Sequence, residues 1–159
     1  MALADALWSS VGAAYARPGV APLCLRLQEQ GDIDVMLLLC LCHAAGPMGA
    51  PLTPAEVDAL RTRMEPWRAK AVRPVRRLRM ALRTPVAHVP DERREAFRAQ
   101  IKALELASER LQAGLVADWL DQRPPARGPV EALPGLMHFL GDTPVSQAEL
   151  ALLLAAFAD

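Results

Sequence analysis

The stretch WRAKAVRPVRRLRMALR, residues 67–83, carries one lysine, six arginines and no acidic side chain. Placed on a helix at about 100° per residue, it sorts into three sets. Trp67, Ala71, Val75, Leu78 and Leu82 share one apolar arc, joined by Met64. Lys70, Arg73 and Arg77 lie opposite, facing solvent. Arg68, Arg76, Arg79 and Arg83 form an arginine-rich flank beside the apolar arc. This is the pattern of an amphipathic helix that needs another helix to cover it.

The partner lies further along the chain. Asp91 opens a long helical pattern reaching about Asp121, with Phe97, Ile101, Leu104, Leu111 and Leu115 on one stripe. Glu105 and Glu109 flank that stripe at i, i+4, with Lys102 nearby. Two helices packed by their apolar faces would bring these carboxylates to the arginine flank, where the guanidinium fork can grip a carboxylate through two hydrogen bonds. Arg76, Arg79, Lys102, Glu105 and Glu109 are therefore the candidate polar site. They serve either as internal neutralisation or as a place for an anionic ligand or acidic partner.

Helix signals dominate elsewhere too. Ala and Leu are abundant, and both favour helix. One Tyr and the lack of sustained period-two alternation argue against strands. Residues 3–16 place Leu7, Trp8, Val11 and Tyr15 on one broad face, and RPG at 17–19 stops that helix. A second helix covers 20–30 and ends at Gly31. Asp32 is expected to cap a third over 33–45, apolar nearly all round and so central. TPAE at 53–56 is a capping box with Pro at the first helical position. Pro66 and Pro74 each remove a donor and crowd the preceding turn, which predicts a break between segments 54–64 and 66–83. RPPARGP at 123–129 marks a boundary. Beyond it lie a weak segment over 130–140 and a last helix opened by the capping box SQAE at 146–149.

The expectation is an all-α, single-domain bundle of five or six helices over 1–123. A Pro-rich linker and helical appendage follow over 124–159. With 159 residues, 52% hydrophobic and 4% aromatic, the core must be built mainly of Leu, Ala, Val and Met.

Charge and motifs narrow the function. Eighteen basic side chains balance eighteen acidic ones. A dedicated DNA-binding domain is usually distinctly basic, and aromatic interleaving is absent beyond Trp67, so nucleic acid is disfavoured. Cys24, Cys40 and Cys42 make an odd set suited to buried hydrophobes in a reducing, cytoplasmic setting. Cys40 and Cys42 point to different sides of a helix, and Cys40 with His43 lacks further ligands, so no metal is expected. No cofactor loop or catalytic signature appears. The first ten residues do not read as a secretory signal. The run VMLLLCLC at 35–42 falls far short of the roughly 20 residues that span a bilayer.

Several blocks resemble those of a small bacterial family of uncharacterised helical proteins. They are LW at 7–8, YARPGV at 15–20, CLRLQEQGDIDVMLLLCL at 24–41, PWRAKAVRPVRRLR at 66–79 and IKALELASERLQ at 101–112. The resemblance covers about residues 3–115, is specific in combination, and implies no activity. It draws attention to Trp8, Tyr15, Arg17, Asp34 and Trp67 beside the five candidate residues. The leading reading is a cytoplasmic, non-catalytic interaction or adaptor protein with a protein partner. The alternatives are an enzyme or small-molecule binder using the polar cluster, and a nucleic-acid binder using 67–83.

Overall fold

The computed structural model describes residues 2–158. All regular structure among them is helical. The helices are α1 (Ala2–Tyr15), α2 (Val20–Gly31), α3 (Val35–Ala45), α4 (Pro54–Trp67), a π-helical segment (Arg68–Val72), α5 (Arg73–Ala81), α6 (Asp91–Gln122), α7 (Ala132–Leu140) and α8 (Gln147–Ala155).

The third helix is the axis of the core. Leu37 to Ala44 are buried without interruption, because α1, α2, α6, α7 and α8 surround it. The apolar cluster draws Leu7 and Val11 from α1, Leu27 from α2 and Leu60 and Met64 from α4, with Val116 from α6. Phe139 of α7 and Leu153 of α8 belong to the same cluster, so both C-terminal helices pack on α3. Gly135 lets α7 approach closely: a Cβ there would meet the Leu52 carbonyl oxygen at 2.1 Å. Arg26 ties α8 down through Glu149 at 2.6 Å and the Pro144 carbonyl at 3.0 Å. Both expected capping boxes are present, at Thr53–Glu56 and Ser146–Glu149.

Two local expectations need correction. No break separates Met64 from Pro66. The fourth helix runs through Pro66 into the π-helical segment and on into α5 as one rod, so α4 and α5 count as a single continuous body. The wider turn precedes Pro74, which has no N–H for the Lys70 carbonyl and whose ring crowds it. There the Arg73 amide bonds back to the Arg68 carbonyl, five residues away. The cap of α3 is Asp34 rather than Asp32. The Asp34 carboxylate accepts from the Leu37 amide at 3.1 Å, while Asp32 closes α2 in the left-handed conformation, φ 49°.

The rod's end and the first half of α6 form a two-helix arm. Val72 and Ile101 are buried there but lie outside the main cluster, and α5 contributes no buried residue. Which sides of these helices face each other decides the site.

Candidate functional site

The expected apolar seam between α5 and α6 is not what packs. On α6 the inward positions are Arg94, Ile101, Glu105, Ser108, Gln112 and Val116, a helical stripe with a polar middle. The expected stripe lies to one side of it: Ile101 is buried, but Phe97, Leu104 and Leu111 are 52%, 58% and 46% exposed. On α5 the arginine flank turns inward, and Leu78 of the apolar arc is exposed. The helices are joined by ion pairs, because the side chains that meet are Arg on one and Glu on the other.

Arg76 is the bridge. Its Nε donates to Glu105 Oε1 at 2.7 Å and its Nη2 to Glu109 Oε1 at 2.8 Å. Arg79 Nε donates to Glu105 Oε2, and Arg98 Nε caps the Arg79 carbonyl at 3.1 Å. Four of the five candidate residues thus converge. Lys102 does not: it points to solvent and makes no ion pair among the described residues.

The two carboxylates respond oppositely. Burial pushes Glu105 up, but hydrogen bonds from Arg79 and Arg76 outweigh it and hold the carboxyl below its ordinary value. At Glu109 burial wins over Arg76, helped by the negative charges of Glu105 and Asp34, and the carboxyl is raised. Tyr15 is raised by burial, then by Cys24 and Glu109.

A second polar node adjoins the first. Asp34, 8% exposed, accepts a hydrogen bond from Gln112 Nε2 at 2.6 Å on Oδ2, and the same oxygen forms an ion pair with Arg68, whose Nε lies 2.8 Å away. One carboxylate therefore caps α3 and anchors both the π-helical segment and α6. Trp67 Nε1 closes the group by donating to the Ser108 carbonyl at 2.9 Å. Gln112 and Ser108 are not evident from an apolar-stripe reading. The signal for them is the run Ile101, Glu105, Ser108, Gln112, Val116, spaced four, three, four and four, the same helical period carried by polar side chains.

The remaining expectations resolve individually. Arg73, expected in solvent, is half-buried and grips Glu65 through two bonds of 2.6 and 2.9 Å. Those bonds draw the Glu65 carboxyl below its ordinary value. Lys70 and Arg77 are exposed. Arg17 reaches the Ala158 carbonyl, and Trp8 lies under Arg110 at 5.8 Å. The three thiols are free and buried. His43 Nδ1 meets Ser10 Oγ at 2.8 Å, and His138 pairs with Asp58. Among the described residues no three His, Cys, Asp or Glu side chains converge as a metal site. None of their helices is long and apolar enough to cross a membrane.

Chemically, the Arg76–Glu105–Glu109 lattice is saturated: each guanidinium faces a carboxylate, and the groups are one-fifth exposed or less. A cleft of about 400 Å³ exists elsewhere, between the end of α2 and the α7–α8 turn. Its lining includes Gln30, Arg61, Phe139 and Thr143 and none of the five candidate residues.

A family model described as a protein of unknown function, DUF2390, matches residues 6–116. No curated protein and no solved structure matches the chain.

Proposed function

Because the chain belongs to the DUF2390 family, whose function is unknown, we propose from its own chemistry that it is a non-catalytic interaction or adaptor protein. One observation carries the reading: the apolar residues Phe97, Leu104 and Leu111 repeat every seven positions along α6 and are about half exposed. A row of half-exposed large apolar side chains along one helix face is the kind of surface that a partner covers. The polar cluster supports the same conclusion from the other side. Its arginines and glutamates neutralise one another and hold the arm, leaving no convergent open group for a substrate.

We read the whole as one helical bundle, with a body over 1–123 and the pair of helices in 124–159 docked on it. Three free thiols agree with a cytoplasmic setting. The second reading, a small-molecule binder at Arg76, Arg79, Lys102, Glu105 and Glu109, loses Lys102 from the cluster, and the 400 Å³ cleft is lined by none of the five. Nucleic-acid binding through the basic stretch 67–83 retains the exposed Lys70, Arg77 and Arg83.

Site-specific photo-crosslinking in the native cell tests this. A photoreactive residue at Leu104 is expected to capture protein, while one at Arg77 is not. A silent Leu104 position, together with a small molecule that co-purifies and is lost in Arg76→Ala, would replace the interaction reading with the ligand-binding one.

A further inference from the structure

The exposed side of α6 is written in a pattern that fits its own reverse. Between residues 93 and 118 its outward positions recur at alternating spacings of four and three, the heptad of a helix that pairs with another. Large and small side chains alternate along it: Phe97, then Gln100; Leu104, then Ala107; Leu111, then Gly114. The stretch is about 38 Å long at 1.5 Å per residue.

We propose that the partner on this face is a second copy of the chain, its α6 lying antiparallel across a two-fold axis between Glu105 and Leu106. The proposal rests on the interaction reading above and names its partner. Under that axis Phe97 meets the partner's Gly114, Leu104 meets the partner's Ala107, and Gln100 meets the partner's Leu111. Every bulky residue faces a smaller or flexible one, and each layer occurs twice. The outermost layer sets Arg93 against the partner's Asp118. Both residues are exposed, and neither makes an ion pair among the described residues.

A parallel pair would place Phe97 on Phe97, glycine on glycine and Arg93 on Arg93, giving crowding, a gap and repulsion. An isologous antiparallel contact removes all three.

Gly114 is an independent witness. It lies within a 32-residue helix, where glycine is disfavoured relative to alanine because it has more backbone freedom to lose. A Cβ built on it meets nothing within 4 Å, so no packing inside this chain accounts for the missing side chain. Room for the partner's Phe97 does account for it. Ala96 and Ala103, both exposed, flank the same face and allow the helices a close approach.

The surface area leaves room for such an interface. A monomeric protein of 17.2 kDa is expected to expose about 7,800 Å², whereas this chain exposes 9343 Å². The surplus, on the order of 1,500 Å², exceeds the roughly 800 Å² that each partner contributes to a standard interface.

Sedimentation equilibrium of the full chain at tens of micromolar is expected to give twice 17.2 kDa. Gly114→Leu is the decisive variant. In a lone chain the new side chain starts into open space on a helix that favours it, so the fold and melting temperature hold. In the dimer it strikes the partner's Phe97, and the mass falls to that of one chain. Arg93→Asp is expected to weaken the dimer roughly tenfold by setting like charges together at both ends. Adding Asp118→Arg is expected to restore it. The pair Arg93→Cys with Asp118→Cys is expected to form a disulfide-linked dimer. Within one chain those positions are about 38 Å apart, beyond any disulfide.

A dimer that survives Gly114→Leu and does not cross-link overturns this face. A wild-type monomer whose Leu104 photo-adducts carry another protein overturns the second copy and leaves the interaction reading in place. A monomer silent at Leu104 overturns both.

Discussion

Gln112 Nε2 donates to Asp34 Oδ2 across 2.6 Å, joining residues 78 apart in the chain inside a buried, charged node. Arg68 lies 2.8 Å from the same oxygen, and the other Asp34 oxygen caps α3. The node fixes where the rod, the central helix and α6 meet.

Removing the carboxylate should therefore be severe. Asp34→Ala deletes a helix cap, worth about 0.5–2 kcal/mol, and strands a mostly buried guanidinium, which typically costs about 3–5 kcal/mol. We expect a loss of about 3–5 kcal/mol in urea unfolding, since the two effects overlap. Asp34→Asn keeps the cap and should cost less. Gln112→Leu keeps the ion pair and removes an amide whose oxygen already lacks a donor, so about 1–3 kcal/mol is expected. An Asp34→Ala protein as stable as wild type would show that the node is ornamental.

The pH response of the arm follows from Glu105. Its folded carboxyl titrates below the ordinary carboxylate range, so its stabilisation is complete above the unfolded value. That stabilisation drains away as pH falls through the folded one. Glu109 is raised and has the opposite sign: its contribution is most favourable at low pH and is lost as pH rises through its folded value. Denaturant midpoints measured from pH 3 to 6 should therefore fall with acid less steeply in Glu105→Gln than in wild type. In Glu109→Gln they should fall more steeply. Identical profiles for both variants would contradict the assignment.

The all-helical architecture was legible because it depends on local signals. The two capping boxes, the Pro-Gly stop after Arg17 and the all-round apolar α3 each act within a few residues. The seam between α5 and α6 was not legible from hydrophobicity, for a physical reason. An amphipathic helix has one apolar arc, but a helix with two contacts has two faces, and hydrophobicity does not say which is used internally. The apolar stripe of Phe97, Leu104 and Leu111 predicts the internal face, whereas Ile101, Glu105, Ser108 and Gln112 hold it. Charge pairing carried the correct part of the reading: Glu105 and Glu109 do meet Arg76 and Arg79. Pro66 misled in a different way. Pro66 lies inside α4 and the helix continues past it; the π-turn belongs to Pro74, where it widens the backbone and keeps the rod intact.

Thiol chemistry gives a further check. Burial pushes Cys24 up to about 11 and Cys42 up to about 12, and Cys40 is raised as well. Thiolate, the reactive form, is then scarce at pH 8. Native protein should react with a disulfide reagent only at the rate of unfolding, and all three thiols should react at once in denaturant. A fast native phase equal to one thiol would place that cysteine in an accessible, less apolar environment.

The basic rod supplies the last test, which separates charge used inside the molecule from charge offered outside it. Phosphate binding by lysine and arginine releases counterions, so affinity that depends on these residues must fall steeply with salt. Arg76 and Arg79 are committed to Glu105 and Glu109, and Arg73 to Glu65. Lys70, Arg77 and Arg83 remain exposed, enough for weak non-specific contact of roughly 10⁻⁴–10⁻⁶ M. We expect no binding tighter than micromolar to mixed DNA or RNA at physiological salt. Reversing Lys70 and Arg77 to Glu should leave the melting temperature nearly unchanged, since both project into water. Arg79→Glu should lower it sharply, because it drives a carboxylate against Glu105 in a poorly solvated seam. Nanomolar, salt-sensitive binding that disappears in the Lys70/Arg77 reversal would instead make the outer face of the rod a nucleic-acid surface.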